Sequence, residues 1–145
     1  MSAIAFVDSN ILIYAHDRDA GMKRDRAVAT LRDLWDSGAG RLSVQVLQEF
    51  YVNATQKLAS PVARGTAREV IKAYGAWIQG VTTAETVARA AEISEVARIS
   101  FWDALIVASA EEVDAEQILS EDLNEGQLLV GIRVVNPFKT GIMEP

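Results

Sequence analysis

The sequence predicts an α/β domain built on a mostly parallel sheet. Short apolar runs of strand length recur at 3–7, 42–44, 117–119 and 132–135, each bounded by polar or turn-forming residues. The segments between them carry apolar residues at helical spacing, the alternation expected of parallel strands joined by helical crossovers. Asp8 and Asp122 each stand just past one of these strands, on the side of a parallel sheet where ligands bind.

Residues 3–7 form a buried strand that closes on Asp8-Ser9-Asn10, which are turn and N-cap types. Ile11 to His16 then reads as a short helix, and Asp17 to Gly21 as a polar break. Lys23 to Trp35 is a helix with Val28, Leu31, Leu34 and Trp35 on one face, stopped by Ser37-Gly38-Ala39-Gly40. Leu42 to Val44 is a short strand leading into a helix from about Gln45 to Leu58. Ala59 to Gly65 is a loop in which Pro61 could start the next helix. Arg68 to Ile78 is helical, with Val70, Ile71, Tyr74 and Trp77 facing inward; Gly80 ends it, and a brief extended piece follows at Val81-Thr82. Helices are expected over Thr83 to Ala97 and from Ser100 to about Val113. A strand at Gln117 to Leu119, a turn through Asn124 and Gly126, and a last strand at Ile132 to Val135 follow. From Phe138 to Pro145 the chain reads as a surface tail.

The 145 residues suit a single domain spanning 1–145, and an apolar half is ample for a layered core. The absence of cysteine excludes disulfides, zinc–thiolate sites and cysteine nucleophiles, and suits a cytoplasmic location. No signal-peptide pattern opens the chain and no apolar run is long enough for a membrane span, so no membrane association is expected. A net charge of −6 argues against nonspecific coating of nucleic acid, which relies on excess Lys and Arg.

Asp8, Glu49, Asp103 and Asp122 are the candidate catalytic and metal-binding residues. Each has an ordinary reading taken singly. Asp8 can cap a helix, Glu49 can sit on a solvated stripe with Gln45 and Asn53, Asp103 can belong to a capping arrangement with Ser100, and Asp122 can be a turn residue. Together, at the ends of core elements, they read as converging carboxylates. These repel one another and resist ionisation unless a cation joins them, and hard ions such as Mg²⁺ or Mn²⁺ favour oxygen ligands. Such a site can activate water and stabilise charge on a phosphate without a Ser, Cys or His nucleophile. Asp8 and Asp103 would be the primary ligands, with Glu49 binding metal or orienting the water and Asp122 completing the site. Ser9, Asn10, Ser120 and Asn124 are candidates for orienting the carboxylates and ordered waters.

Four segments, Phe6-Val7-Asp8-Ser9-Asn10-Ile11, Leu47-Gln48-Glu49-Phe50, Ser100-Phe101-Trp102-Asp103-Ala104-Leu105-Ile106 and Leu119-Ser120-Glu121-Asp122-Leu123, resemble the ordered motifs of the PIN-domain family. The whole chain, including its closing Gly131 to Phe138, looks like the VapC-type toxins of bacterial and archaeal toxin–antitoxin pairs. The resemblance implies a PIN-like three-layer α/β/α fold and Mg²⁺- or Mn²⁺-dependent endoribonuclease activity. It also implies an RNA substrate, a cognate antitoxin protein and a homodimer. The family's acidic positions fall on Asp8, Glu49, Asp103 and Asp122, and its Ser/Thr before the last acid falls on Ser120. Many relatives carry a further acid where Asn124 stands, which leaves one or two metals open.

His16, the sole histidine, is expected in a structural or surface role. Lys23, Arg24 and Arg26 form a basic cluster that could either guide RNA phosphates or be simply solvated. Trp35, Trp77 and Trp102 are expected in the core or an interface rather than as platforms for bases. Competing classes are a catalytically silent RNA-binding or scaffold module and an aspartyl-phosphate phosphotransfer protein. An aspartyl-phosphate phosphatase would want a second Asp where Asn10 stands, and a receiver domain would want a Lys that Ile132 to Val135 does not supply.

Overall fold

The computed structural model describes residues 3–140. Five strands form one sheet: β1 (Ala5–Val7), β2 (Gly40–Arg41), β3 (Gln117–Leu119), β4 (Leu128–Leu129) and β5 (Ile132–Val135). Their order is β2-β1-β3-β5-β4. All pairings are parallel except that of β4 with β5. The α/β class and the mostly parallel sheet are as the sequence predicts. β1 is an interior strand and fully buried, which is why Ala5-Phe6-Val7 is a continuous apolar run rather than an alternating one.

Seven helices surround this sheet among the described residues: α1 (Ser9–Ala15), α2 (Met22–Ser37), α3 (Val44–Gln56), α4 (Arg64–Tyr74), α5 (Ala84–Ala97), α6 (Phe101–Glu112) and α7 (Pro137–Thr140). α1 packs against α2 and α3, α3 against α4, and α5 against α6. α6 buries the unbroken run Ala104 to Ala110, so its apolar character follows from its central place. Its N-terminus is capped by Ser100, whose Oγ accepts the Asp103 amide at 3.1 Å. Thr83 and Thr86 form a reciprocal capping box at the start of α5. α2 ends at Gly38, in the left-handed conformation with φ 71°, its amide donating to Leu34 O. No helix among the described residues is long and apolar enough to cross a membrane.

Several boundaries differ from expectation. The strand expected at Leu42 to Val44 pairs two residues earlier, at Gly40–Arg41, while Leu42 makes one isolated bridge to Ile78. That bridge replaces the extended piece expected at Val81-Thr82. The cause is Trp77, which sits in a 3₁₀ turn at Gly75–Trp77 after α4 and accepts the Leu42 amide on its carbonyl at 3.2 Å. The helix expected to run to Ile78 therefore ends at Tyr74. Pro61 does not start α4, because the Val62 amide is spent on the Ala54 carbonyl at 2.8 Å, folding this loop back onto α3. β4 was not expected: its two residues carry no strand periodicity, and the β4–β5 hairpin turns at Val130-Gly131, where valine is an unusual left-handed residue with φ 45°. The first part of the tail expected from Phe138 is helical instead. Pro137–Thr140 form α7, Asn136 Oδ1 accepts the Phe138 amide at 2.9 Å, and the Phe138 ring packs edge-on to Tyr14 at 5.0 Å. The remainder of that tail, 141–145, lies outside the described residues.

Trp77 also holds the edge of the sheet. It lies 4.8 Å from Tyr74 and 4.9 Å from Trp35 between ring centroids, and its six-membered ring rests on Gly40. A Cβ at Gly40 would stand 2.6 Å from that ring, closer than packing permits. Gly40→Ala should therefore lower the urea midpoint of unfolding by an amount corresponding to about 1–3 kcal/mol. An unchanged midpoint would show that Trp77 is free to move off the strand.

Candidate active site

The parallel sheet brings the carboxyl ends of β1 and β3 side by side, and this juxtaposition builds the site. Asp8 follows β1 and continues the ladder, its amide donating to Leu119 O at 3.0 Å. It also caps α1: Oδ1 accepts the Ser9 amide at 2.8 Å. Its other oxygen accepts the Ser120 hydroxyl at 2.7 Å. Ser120 is fully buried after β3, and its Oγ also accepts the Asp122 amide at 3.1 Å. One hydroxyl thus orients Asp8 and shapes the turn that presents Asp122.

Asn10, on the first turn of α1, ties the two loops together. Its Nδ2 lies 3.2 Å from Asp122 Oδ2 and 3.4 Å from Asp8 Oδ2, and its Oδ1 accepts the Glu121 amide at 3.2 Å. Glu49 arrives from α3. Both its oxygens accept hydrogen bonds, from Ser9 Oγ at 2.9 Å and from Gln45 Nε2 at 3.1 Å. The same Gln45 amide donates to Trp102 O at 3.2 Å, linking Glu49 to the first turn of α6, where Asp103 is half-buried.

The electrostatics centre on Asp8, the one buried acid among the described residues. Burial pushes Asp8 from its ordinary 3.8 to about 7; the bonds from Ser120 and Ser9 resist this, and the charges of Asp122 and Glu49 add to it. Burial also raises Asp103, resisted by Ser100 and reinforced by Asp122. Asp122 therefore lies in the fields of both Asp8 and Asp103, although it is itself exposed. Among the described residues, no three acidic side chains as they stand form a ready cage for an ion. The donor set nevertheless fits a hard divalent ion. It is all oxygen, its buried acid lacks a compensating charge, and Mg²⁺ keeps several waters while using only one or two carboxylates.

The PIN-domain model matches residues 5–124, a span that begins with β1 and holds all four acids. The chain belongs to the PIN-domain family. Solved structures agree with this PIN-like fold. A FitAB complex bound to an IR36 DNA fragment is similar with a TM-score of 0.66 and 18% identity, over 92% of this chain and 95% of that one. A toxin–antitoxin complex from Klebsiella pneumoniae matches with a TM-score of 0.62 and 20% identity, over 92% and 97% of the two chains. VapC20 of Mycobacterium tuberculosis, described as a toxin cleaving the sarcin–ricin loop, matches with a TM-score of 0.61 and 17% identity, over 81% and 89%. No curated protein matches the chain.

Within this PIN domain, Ser9, Asn10 and Ser120 touch the acids as described. Asn124 does not: it is exposed, its carbonyl accepts the Gln127 amide at 3.1 Å, and among the described residues no hydrogen bond ties its side chain to a carboxylate. Asn53, on the polar stripe with Glu49, donates to the Glu49 carbonyl rather than its carboxylate. His16 meets Leu12 O through Nδ1 at 3.0 Å and packs edge-on to Phe50, a structural role. The basic cluster divides: Lys23 pairs with Glu121, Arg26 donates to Pro137 O at 3.2 Å, and Arg24 stays exposed.

Two parts of the site escaped the sequence reading. Gln45 holds Glu49, and only its position one helical turn earlier hinted at this. Glu121 receives Tyr14 Oη at 2.6 Å and Lys23 Nζ, so α1 and α2 brace the turn between Ser120 and Asp122. Burial alone would lift the Glu121 pKa, but the bonds from Lys23 and Tyr14 outweigh it and hold the acid below the usual range. No local spacing predicts that meeting.

A folded-state pKa of about 7 for Asp8 means that the folded protein keeps this proton where the unfolded chain has lost it. The acid therefore costs nothing below pH 3.8, increasingly more up to about pH 7, and its full amount above. In EDTA, Asp8→Asn should raise stability at pH 8 by about 2–4 kcal/mol and change it little near pH 3.5. Thermal melts across this range check the sign; a variant less stable at pH 8 would contradict it.

Proposed function

We propose that this PIN domain is a metal-dependent endoribonuclease, acting as the toxin of a toxin–antitoxin pair. The observation that carries the reading is the buried Asp8 after β1, beside the Ser120–Asp122 turn after the adjacent parallel β3, with Glu49 reaching the pair from α3. Its support is the family membership together with the likeness to proteins described as toxins and toxin–antitoxin complexes.

Asp8 and Asp103 would hold the Mg²⁺ or Mn²⁺, with Asp122 completing its surroundings directly or through water. When bound, the ion supplies a lowered pKa for water and a counter-charge for phosphate. Glu49 is suited to receive a proton from the attacking water. Its carboxylate accepts bonds from Ser9 and Gln45 on both oxygens, so its orientation is set before substrate arrives. Water oxygen bonds to phosphorus, the bond to the departing ribose oxygen breaks, and a proton passes to that oxygen. Ser120 and Asn10 keep Asp8 and Asp122 in register during this exchange.

The partners follow from the same charge. A basic segment of a cognate antitoxin can place an Arg or Lys against these carboxylates and block RNA. We assign the chain to a single domain over 1–145, cytoplasmic and working as a homodimer.

Purified protein should cleave a mixed RNA pool with Mg²⁺ or Mn²⁺ and not with EDTA, and Asp103→Asn should reduce the rate at least about 100-fold. Circular dichroism should show the variant folded. Cleavage that survives both EDTA and Asp103→Asn would overturn the site. Absence of cleavage under every condition would favour a silent RNA-binding module.

A further inference from the structure

Trp102 is the residue immediately before Asp103, yet its side chain is not in the core. It is 63% exposed, and its indole stands edge-on to Phe101 at 5.1 Å, which limits its rotation. Beside it opens a groove of about 480 Å³ lined by residues including Val44, Gln45, Gln48, Val81, Thr82 and Trp102. Val44 and Val81 are also exposed, at 51% and 75%. No charged residue lines this groove among the described residues. Its walls combine an aromatic face, aliphatic surface, amides and a hydroxyl. That is the chemistry used for an unpaired nucleobase, which stacks on a ring and hydrogen-bonds along its edge. It is unsuited to phosphate.

One side chain links the wall of this groove to the acidic site. Gln45 lines it, and the Gln45 amide nitrogen bonds both Glu49 and the Trp102 carbonyl. Both partners are acceptors, so the amide cannot flip without setting oxygen against oxygen. Gln45 therefore joins the groove wall rigidly to the acid expected to orient water. We infer that this groove is a nucleobase subsite: it holds an unpaired base next to the cleaved phosphodiester, stacked on Trp102. The inference rests on the nuclease reading for its place beside the scissile bond. A second copy of the chain is the rival occupant, but the hydrogen-bonded link from Gln45 in the groove wall to Glu49 favours the base.

The test uses the full chain, Trp102→Ala, Trp102→Phe and a single-stranded RNA oligonucleotide, intact or with an abasic residue on either side of the cleaved bond. Trp102→Ala should lower kcat/KM on the intact oligonucleotide about 5- to 150-fold, and Trp102→Phe should recover most of it. An abasic residue on one side should cost the unmodified protein a similar factor and cost Trp102→Ala nothing further. Equal kcat/KM for Trp102→Ala and the unmodified protein on every oligonucleotide would overturn the subsite while leaving the nuclease reading intact. So would a Trp102→Ala that turns a dimer into a monomer with an unchanged abasic profile, since a second copy would then cover the groove. If the unmodified protein cleaves no RNA, the nuclease reading fails separately, and indole fluorescence decides the groove. Quenching by the intact oligonucleotide that disappears in Trp102→Phe supports base binding there; no quenching overturns it.

Discussion

Asp8 places a carboxyl group with 4% exposure at the end of a fully buried strand, and much of the surrounding structure answers that burial. An isolated buried carboxylate is expensive, and every neighbouring element contributes something against that cost. α1 offers its first amide, β3 delivers a buried hydroxyl from Ser120, and α1 adds the amide of Asn10. These donors do not win, because burial lifts the acid to about 7 and two further acids stand near. A stability-driven sequence would remove such a group. Its presence beside Glu49 and Asp122 leaves the proposed site short of positive charge.

The compensation is also what assembles the site. Hydrogen bonds that stabilise one acid come from residues that position the next. Ser9 gives its amide to Asp8 and its hydroxyl to Glu49. Ser120 donates to Asp8 and accepts from the backbone of Asp122. Gln45 binds Glu49 and the backbone of α6. Glu121, fastened by Tyr14 and Lys23, anchors the outer side of the same turn. Polar networks of this kind are rigid where their members are satisfied; here the Gln45 Oε1 is the exception, buried without a hydrogen-bond partner among the described residues. In the proposed reaction this rigidity would serve chemistry, since a pre-set carboxylate needs little reorganisation when charge develops.

Both the sheet and the helices deliver these groups. Parallel pairing of β1 with β3 makes Asp8 and the Ser120–Asp122 turn neighbours, although they are more than a hundred residues apart in sequence. Trp77, packed on Gly40 and bonded to Leu42, closes the free side of β2 just before α3 begins. That contact helps fix where α3 starts, and hence where Gln45 and Glu49 project.

The sequence by itself determined the class of fold and the identity of the candidate acids. Buried strands such as Ala5-Phe6-Val7 and the apolar α6 write their burial directly into composition, and caps such as Ser100 act within one helical turn. Asp8 and Asp122 were legible because strand ends in a parallel sheet are where ligands bind. Only the tertiary structure decided what depends on contacts distant in sequence. It drew α4 to an early end through the Trp77 turn, made a strand of Leu128–Leu129 by pairing it with β5, and folded Phe138 onto Tyr14. It also left Trp102 in solvent and brought Gln45, Tyr14 and Lys23 to the carboxylates they hold. Local patterns encode burial and caps over a few residues. Which side chains meet across a hundred residues is set by packing, which no single segment contains.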